Sequence, residues 1–232
     1  MITNTVTPDR SAGSSQPTLA APTVQCLQYY LTLLRSLPLS SNEASNPIAT
    51  LGVTSCYAGE GVSTVAVQLS LAAASTGLRV LLVDLNWKRP ALHKTFNVPC
   101  SPGLAEALTD FDRANDSVQA SHISNLCLLT TGSVQTDFNL VASSESMSGL
   151  IRSLRMDFEL IVFDLPESGT PGANLLVGRL LDGIVLVVES ERVRWEVAKR
   201  VQELLVRSGA KVLGAVLNKR RQPIPNWLYR TL

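Results

Sequence analysis

Six residues, Gly59-Glu60-Gly61-Val62-Ser63-Thr64, bring together two glycines, a carboxylate and two hydroxyls directly after an apolar run. A glycine-rich turn leading from a strand into a helix offers successive backbone N–H groups and the positive helix end, which suit a phosphate. In such a loop a lysine reaches the β- and γ-phosphates and a Ser/Thr hydroxyl holds Mg²⁺. Here Val62 stands at the lysine position. Valine can neither donate a hydrogen bond nor neutralise a phosphoryl group, so the loop is built for nucleotide yet lacks its cation. Gly59, Glu60, Gly61, Val62, Ser63 and Thr64 are therefore the expected nucleotide-binding residues.

Two carboxylates have matching positions. Asp84 closes the run RVLLVD at 79–84, and Asp164 closes FELIVFD at 158–164. Beside the Ser63 hydroxyl, Asp84 and Asp164 can complete the oxygen-rich shell that Mg²⁺ prefers, and they form the expected catalytic pair. The alternative for each is a strand-end aspartate that caps the next turn or helix.

The elements that must position these groups follow from hydrophobic patterning. Continuous apolar runs at 48–55, 79–84, 125–130, 158–164, 183–188 and 211–217 predict strands buried on both faces. Helical spacing predicts helices over 26–37, 62–75 and 191–208. Strands alternating with helices mean an α/β fold, a doubly wound and mostly parallel sheet, and ligands bind such sheets beyond the carboxyl ends of the strands. The loop, Asp84, Asp164 and Asn218 all fall at that edge.

With these residues in place, the chain resembles the bacterial tyrosine kinases of capsule and exopolysaccharide synthesis, polysaccharide biosynthesis tyrosine autokinases of the MinD/ParA-like branch of the P-loop NTPases. The resemblance rests on Thr54-Ser55-x-x-x-Gly59-Glu60-Gly61-x-Ser63-Thr64 and on Val80-Leu81-Leu82-Val83-Asp84-x-Asn86-x-Lys88-Arg89-Pro90 with His93 and Phe96. It continues through Gly103-Leu104, Asp157-x-x-x-Ile161-x-x-Asp164-x-Pro166 and Leu213-Gly214-x-Val216-Leu217-Asn218. It implies ATP or ADP with Mg²⁺ as ligands: phosphates on Gly59 to Thr64, metal at Ser63, Asp84 and Asp164, and Asn218 beside the adenine. It also implies partners, namely a membrane protein of the chain-length-determinant type or another polysaccharide-export component, together with an active kinase homologue.

The departures fall on working residues. Val62 replaces the lysine, and Asn86 replaces the second carboxylate of the family's D-x-D. Gln28-x-x-Leu31-x-x-Leu34 stands where the family has a charged E-x-x-R-x-x-R oligomerisation motif, and the tail after Asn218 holds only Tyr229 in place of a tyrosine cluster. The expectation is a degenerate, pseudokinase-like subunit that regulates or scaffolds exopolysaccharide or capsule synthesis or export. The rival is a working tyrosine autokinase that uses a substitute cation, Lys88 or Arg89. A MinD/ParA-like positioning ATPase is disfavoured because Tyr57 stands where that branch has its signature lysine.

Composition sets the outer bounds. The 232 residues are 45% apolar and 17% charged, enough for one α/β domain with a large core. Four cysteines without C-x-x-C spacing read as reduced thiols. The division expected is a disordered segment over 1–25, an amphipathic helix and linker over 26–47, the P-loop domain over 48–220 and a basic, aromatic tail over 221–232. Ten Lys/Arg against two acids in 192–232 point to an anionic partner there. The first 22 residues lack the apolar stretch of a secretory signal. With no apolar run long enough to span a bilayer, the expected location is cytoplasmic, peripheral at the inner membrane face. No nucleic-acid partner is expected.

Overall fold

The computed structural model describes residues 2–3, 24–37, 49–109, 111–133, 144–169 and 173–220. Residues 221–232, including Arg221, Trp227 and Tyr229, lie outside the described residues, as do the 38–48 linker and most of the N-terminal segment.

Eight strands are present among the described residues: β1 (Ile2–Thr3), β2 (Thr50–Ser55), β3 (Val80–Asp84), β4 (Gln119–Ala120), β5 (Leu126–Leu129), β6 (Leu160–Asp164), β7 (Gly183–Glu189) and β8 (Val212–Asn218). They form one sheet in the order β1-β8-β7-β2-β6-β3-β5-β4, parallel throughout except where β4 runs against β5. Every residue of β2, β3 and β6 is buried, which is why those segments read as continuous apolar runs. The helices are α1 (Val24–Ser36), α2 (Val62–Ser75), α3 (Leu92–Phe96), α4 (Leu104–Ala107), α5 (Ser144–Leu154), α6 (Ala173–Gly178) and α7 (Trp195–Arg207).

Alternation along the strands divides the core. Val80 and Leu82 of β3 join Leu51, Val53 and Val162 in a cluster covered by α2 and α1, whereas Leu81 and Val83 join Ile161 and Phe163 under α5. Helices on both faces of a parallel sheet confirm the doubly wound α/β architecture. Tyr30, Leu33, Leu34 and Leu37 place α1 within the first cluster, against α2.

Three details depart from the sequence reading. Within the segment expected to be disordered over 1–25, Ile2 and Thr3 pair in parallel with Val216 and Leu217, and α1 begins at Val24. Strand β8 would otherwise end the sheet with unpaired N–H and C=O groups, and two β-branched residues are enough to cap it locally. Helix α7 begins at Trp195, four residues later than expected, because residues 190–193 form a turn.

At the edge remote from the loop, the Asp182 carboxylate clamps the start of β2. It accepts the N–H groups of Ala49 and Thr50 at 2.9 and 2.8 Å and the Thr50 hydroxyl at 2.9 Å, and Arg155 reaches it at 2.7 Å. Burial pushes its pKa up, but these donors, Arg155 first, outweigh burial and hold it below its ordinary value. Asp182→Ala strands two backbone donors and one guanidinium, so we expect a loss of about 2 kcal/mol in urea unfolding. A loss below about 0.5 kcal/mol would mean that water replaces the clamp.

Candidate phosphate and metal site

Strand β2 delivers Ser55 into the glycine loop, and α2 starts at Val62. Gly61 caps that helix with φ +93°, a left-handed conformation that disfavours side chains, and the Asn218 amide occupies the space a Cβ would need. Glu60 is fully buried, and its carboxylate folds back under the loop to accept the Cys56 N–H at 3.1 Å. Burial raises its pKa, against the pull of the Cys56 and Tyr57 N–H groups and of Arg192. Burial, then Glu60, pushes the Cys56 thiol up to about 12, so it stays protonated and inert.

The loop's carbonyls are held from the far side. Asn218 Nδ2 donates to Glu60 O at 2.8 Å, Lys219 Nζ to Gly59 O at 2.6 Å and Arg192 Nη1 to Ala58 O at 3.3 Å. Glu189 joins the two cations, at 2.8 Å from Arg192 and 3.3 Å from Lys219. Both polar ends of Asn218 are engaged, since its Oδ1 accepts the Lys219 N–H at 2.9 Å. Its side chain therefore braces the loop.

In front of the loop lies a cleft of about 220 Å³. Gly59, Gly61, Val62, Ser63 and Thr64 form one wall, Asn86 and Arg89 stand on the segment after β3, and Leu165 and Glu167 stand on the segment after β6. Val62 packs onto the apolar core beneath.

Asp84 and Asp164 are direct register partners at the ends of β3 and β6, and both are fully buried. Asp84 Oδ1 accepts the Asn86 N–H at 3.0 Å, while Oδ2 accepts those of Ala91 at 3.1 Å and Leu92 at 3.2 Å. Burial nevertheless raises its pKa. Asp164 has no hydrogen-bond partner on either oxygen. Burial, then the neighbouring Asp84, pushes its pKa up to about 7; the Ser63 hydroxyl lies close enough to oppose this slightly without reaching hydrogen-bond geometry. A buried carboxylate with two orphaned oxygens, a second carboxylate and a hydroxyl make a hard oxygen donor set that fits a divalent cation such as Mg²⁺. No group of three or more His, Cys, Asp or Glu side chains is placed to hold a metal among the described residues.

The structure thus gathers Gly59, Gly61, Val62, Ser63 and Thr64 along one cleft, and keeps Asp84 and Asp164 fully buried at the ends of β3 and β6, off the cleft lining. The Glu60 and Asn218 side chains are turned to the loop's own backbone. Sequence reasoning missed Glu167 and the Glu189–Arg192–Lys219 brace. Their signal was position, since all four follow or end a strand at the carboxyl edge.

A family profile described as "Cellulose biosynthesis protein BcsQ" matches residues 48–202, two thirds of the chain. The chain belongs to this family. Its curated relatives include tyrosine-protein kinase YwqD of Bacillus subtilis, 28% identical over 194 residues that cover 84% of this chain and 81% of YwqD. The succinoglycan biosynthesis transport protein ExoP of Rhizobium meliloti is 26% identical over 172 residues, 73% of this chain but 22% of ExoP. Among solved structures, the chimerical protein CapA2B2 superposes with a TM-score of 0.76 at 28% identity, covering 84% of this chain and 85% of that one. MinD of Pyrococcus horikoshii, crystallised with Mg-ADP, shares the fold (TM-score 0.64, 22% identity, 78% and 76% covered). The tyrosine-kinase resemblance and the MinD-like P-loop fold both stand. No helix among the described residues is long and apolar enough to cross a membrane.

The orphaned carboxylate has a consequence for stability. The unfolded chain ionises Asp164 near 3.8, whereas the folded protein keeps its proton up to about 7. Below 3.8 both states are protonated; between 3.8 and about 7 only the unfolded state ionises, so stability falls as pH rises through that window. Urea unfolding at a series of pH values should show that slope, and Asp164→Asn should flatten it. Parallel profiles for the two proteins would place the buried charge elsewhere.

Proposed function

We propose that this chain is a regulatory or scaffolding subunit of an exopolysaccharide or capsule synthesis or export system, a P-loop protein that binds nucleotide weakly and turns it over little. The observation that carries the reading is Val62, packed on the core at the lysine position of a loop that is otherwise complete. The names of the family and of ExoP support the polysaccharide setting, and YwqD supports the kinase ancestry.

In this reading the N–H groups of residues 59–64 and the start of α2 receive the phosphates of ATP or ADP. Ser63, Asp84 and Asp164 hold Mg²⁺, which supplies charge neutralisation along the phosphates. Asn218 keeps the loop in shape from behind. Asn86, near the reacting end of the cleft, can hydrogen-bond but cannot take a proton. A membrane protein of the chain-length-determinant type, another export component or an active kinase homologue is the partner. The protein then works from the inner face of the membrane.

A working tyrosine autokinase is the second reading, favoured by the intact Asp84–Asp164 pair. Turnover separates the two. Removing one group that stabilises transition-state charge costs roughly 10²–10³ in rate, and here a lysine and a carboxylate are both missing. Purified protein with Mg-ATP should therefore give negligible hydrolysis and no phosphotyrosine, while calorimetry detects weak binding. Val62→Lys should tighten binding by ~10-fold or more. Strong Mg²⁺-dependent phosphotyrosine formation by the natural sequence would establish the autokinase instead.

A further inference from the structure

We propose that Arg89 supplies the phosphate-binding cation that Val62 withholds, so that the charge has moved from the glycine loop to the segment that faces it. The inference rests on the nucleotide-binding reading above and names the residue that makes such binding feasible.

Arg89 is the one cation among the described residues lining the cleft, where it shares the wall after β3 with Asn86. Its guanidinium makes no hydrogen bond or ion pair among the described residues, so its donors are available. The other cations near the loop are engaged. Arg192 and Lys219 are tied to Glu189 and to the carbonyls of Ala58 and Gly59, behind the loop and off the cleft. Lys88, the alternative offered by the sequence, is exposed and does not line the cleft.

The segment carrying Arg89 is fixed at both ends. Asp84 binds the N–H of Asn86 at its start and those of Ala91 and Leu92 at its end, and the Arg89 N–H closes a turn onto Asn86 O at 3.0 Å. An arginine on a pre-ordered turn gives up less freedom on binding than one on a loose loop. A guanidinium can also fork two phosphate oxygens, which an ammonium cannot. Asp84 in this scheme has a positioning role in addition to any metal it holds.

The test uses the full chain, Mg-ATP and Mg-ADP, with calorimetry for affinity and the ligand-induced rise in melting temperature as a second readout. The variants are Arg89→Ala, Arg89→Lys, Lys88→Ala, Val62→Lys and the Val62→Lys/Arg89→Ala pair. Arg89→Ala should weaken Mg-ATP by ~10-fold and reduce the melting shift in proportion, with Arg89→Lys intermediate and Lys88→Ala within ~2-fold of the natural protein. In the Val62→Lys background the same Arg89→Ala change should cost ~3-fold or less, because the restored lysine takes over the charge. A loss below ~3-fold for Arg89→Ala alone, or an equal loss in both backgrounds, overturns the substitution while the nucleotide-binding reading stands. If Val62→Lys binds and the natural sequence does not, Arg89 is no substitute. If neither binds, the nucleotide-binding reading falls as well.

Discussion

The pairing of β3 with β6 sets Asp84 directly against Asp164, and the rest of the site is organised around that pair. Two carboxylates at adjacent strand ends, both fully buried, cannot both ionise without compensation. The protein resolves the conflict unequally. Asp84 receives three backbone N–H groups and so dictates the course of the segment after β3, whereas Asp164 receives none and keeps its proton up to about 7. One carboxylate has become a structural anchor and the other a standing demand for positive charge. That demand is met by a proton or a cation, and the Ser63 hydroxyl lies beside it.

Charge behind the loop follows a different logic. Arg192 and Lys219, both paired with Glu189, donate to the Ala58 and Gly59 carbonyls, and Asn218 donates to that of Glu60. Fixing three successive carbonyls from one side constrains the peptide planes of the loop. Glu60 does the same from within by accepting the Cys56 N–H. A glycine loop that has lost its lysine could relax into another turn. Here the brace and the left-handed Gly61 constrain its shape.

Much of this arrangement was legible in the sequence. The runs ending at Asp84 and Asp164 are apolar because both faces of β3 and β6 are covered, and their carboxylates fall at the ligand edge because parallel strands all end there. Asn218 ends β8 at that edge as expected, but its side-chain bond to Glu60 O was not legible, since a motif fixes where a residue sits and not which way an amide turns. The two-residue strand β1 was invisible because its pairing is set by Val216 and Leu217, far along the chain, and the antiparallel β4 because two residues are too few to show a period. Glu167 carried no periodic signal, and its place on the cleft wall depends on the turn that follows Asp164.

What the site retains and what it lacks belong to different parts of phosphoryl transfer. Backbone N–H groups and a helix end bind the ground state and the transition state of a phosphate about equally well, and uniform binding of that kind does not accelerate a reaction. The lysine and the second carboxylate of the family pattern act on charge that develops as the bond breaks. Those are the two groups replaced, by Val62 and Asn86, while the cradle, its brace and the carboxylate pair remain. Val62 also contributes to the core, so the replacement is integrated into the packing and is more than the loss of a side chain. Under the reading proposed above, retained binding groups beside replaced transition-state groups are the physical argument for a protein that binds nucleotide with little turnover.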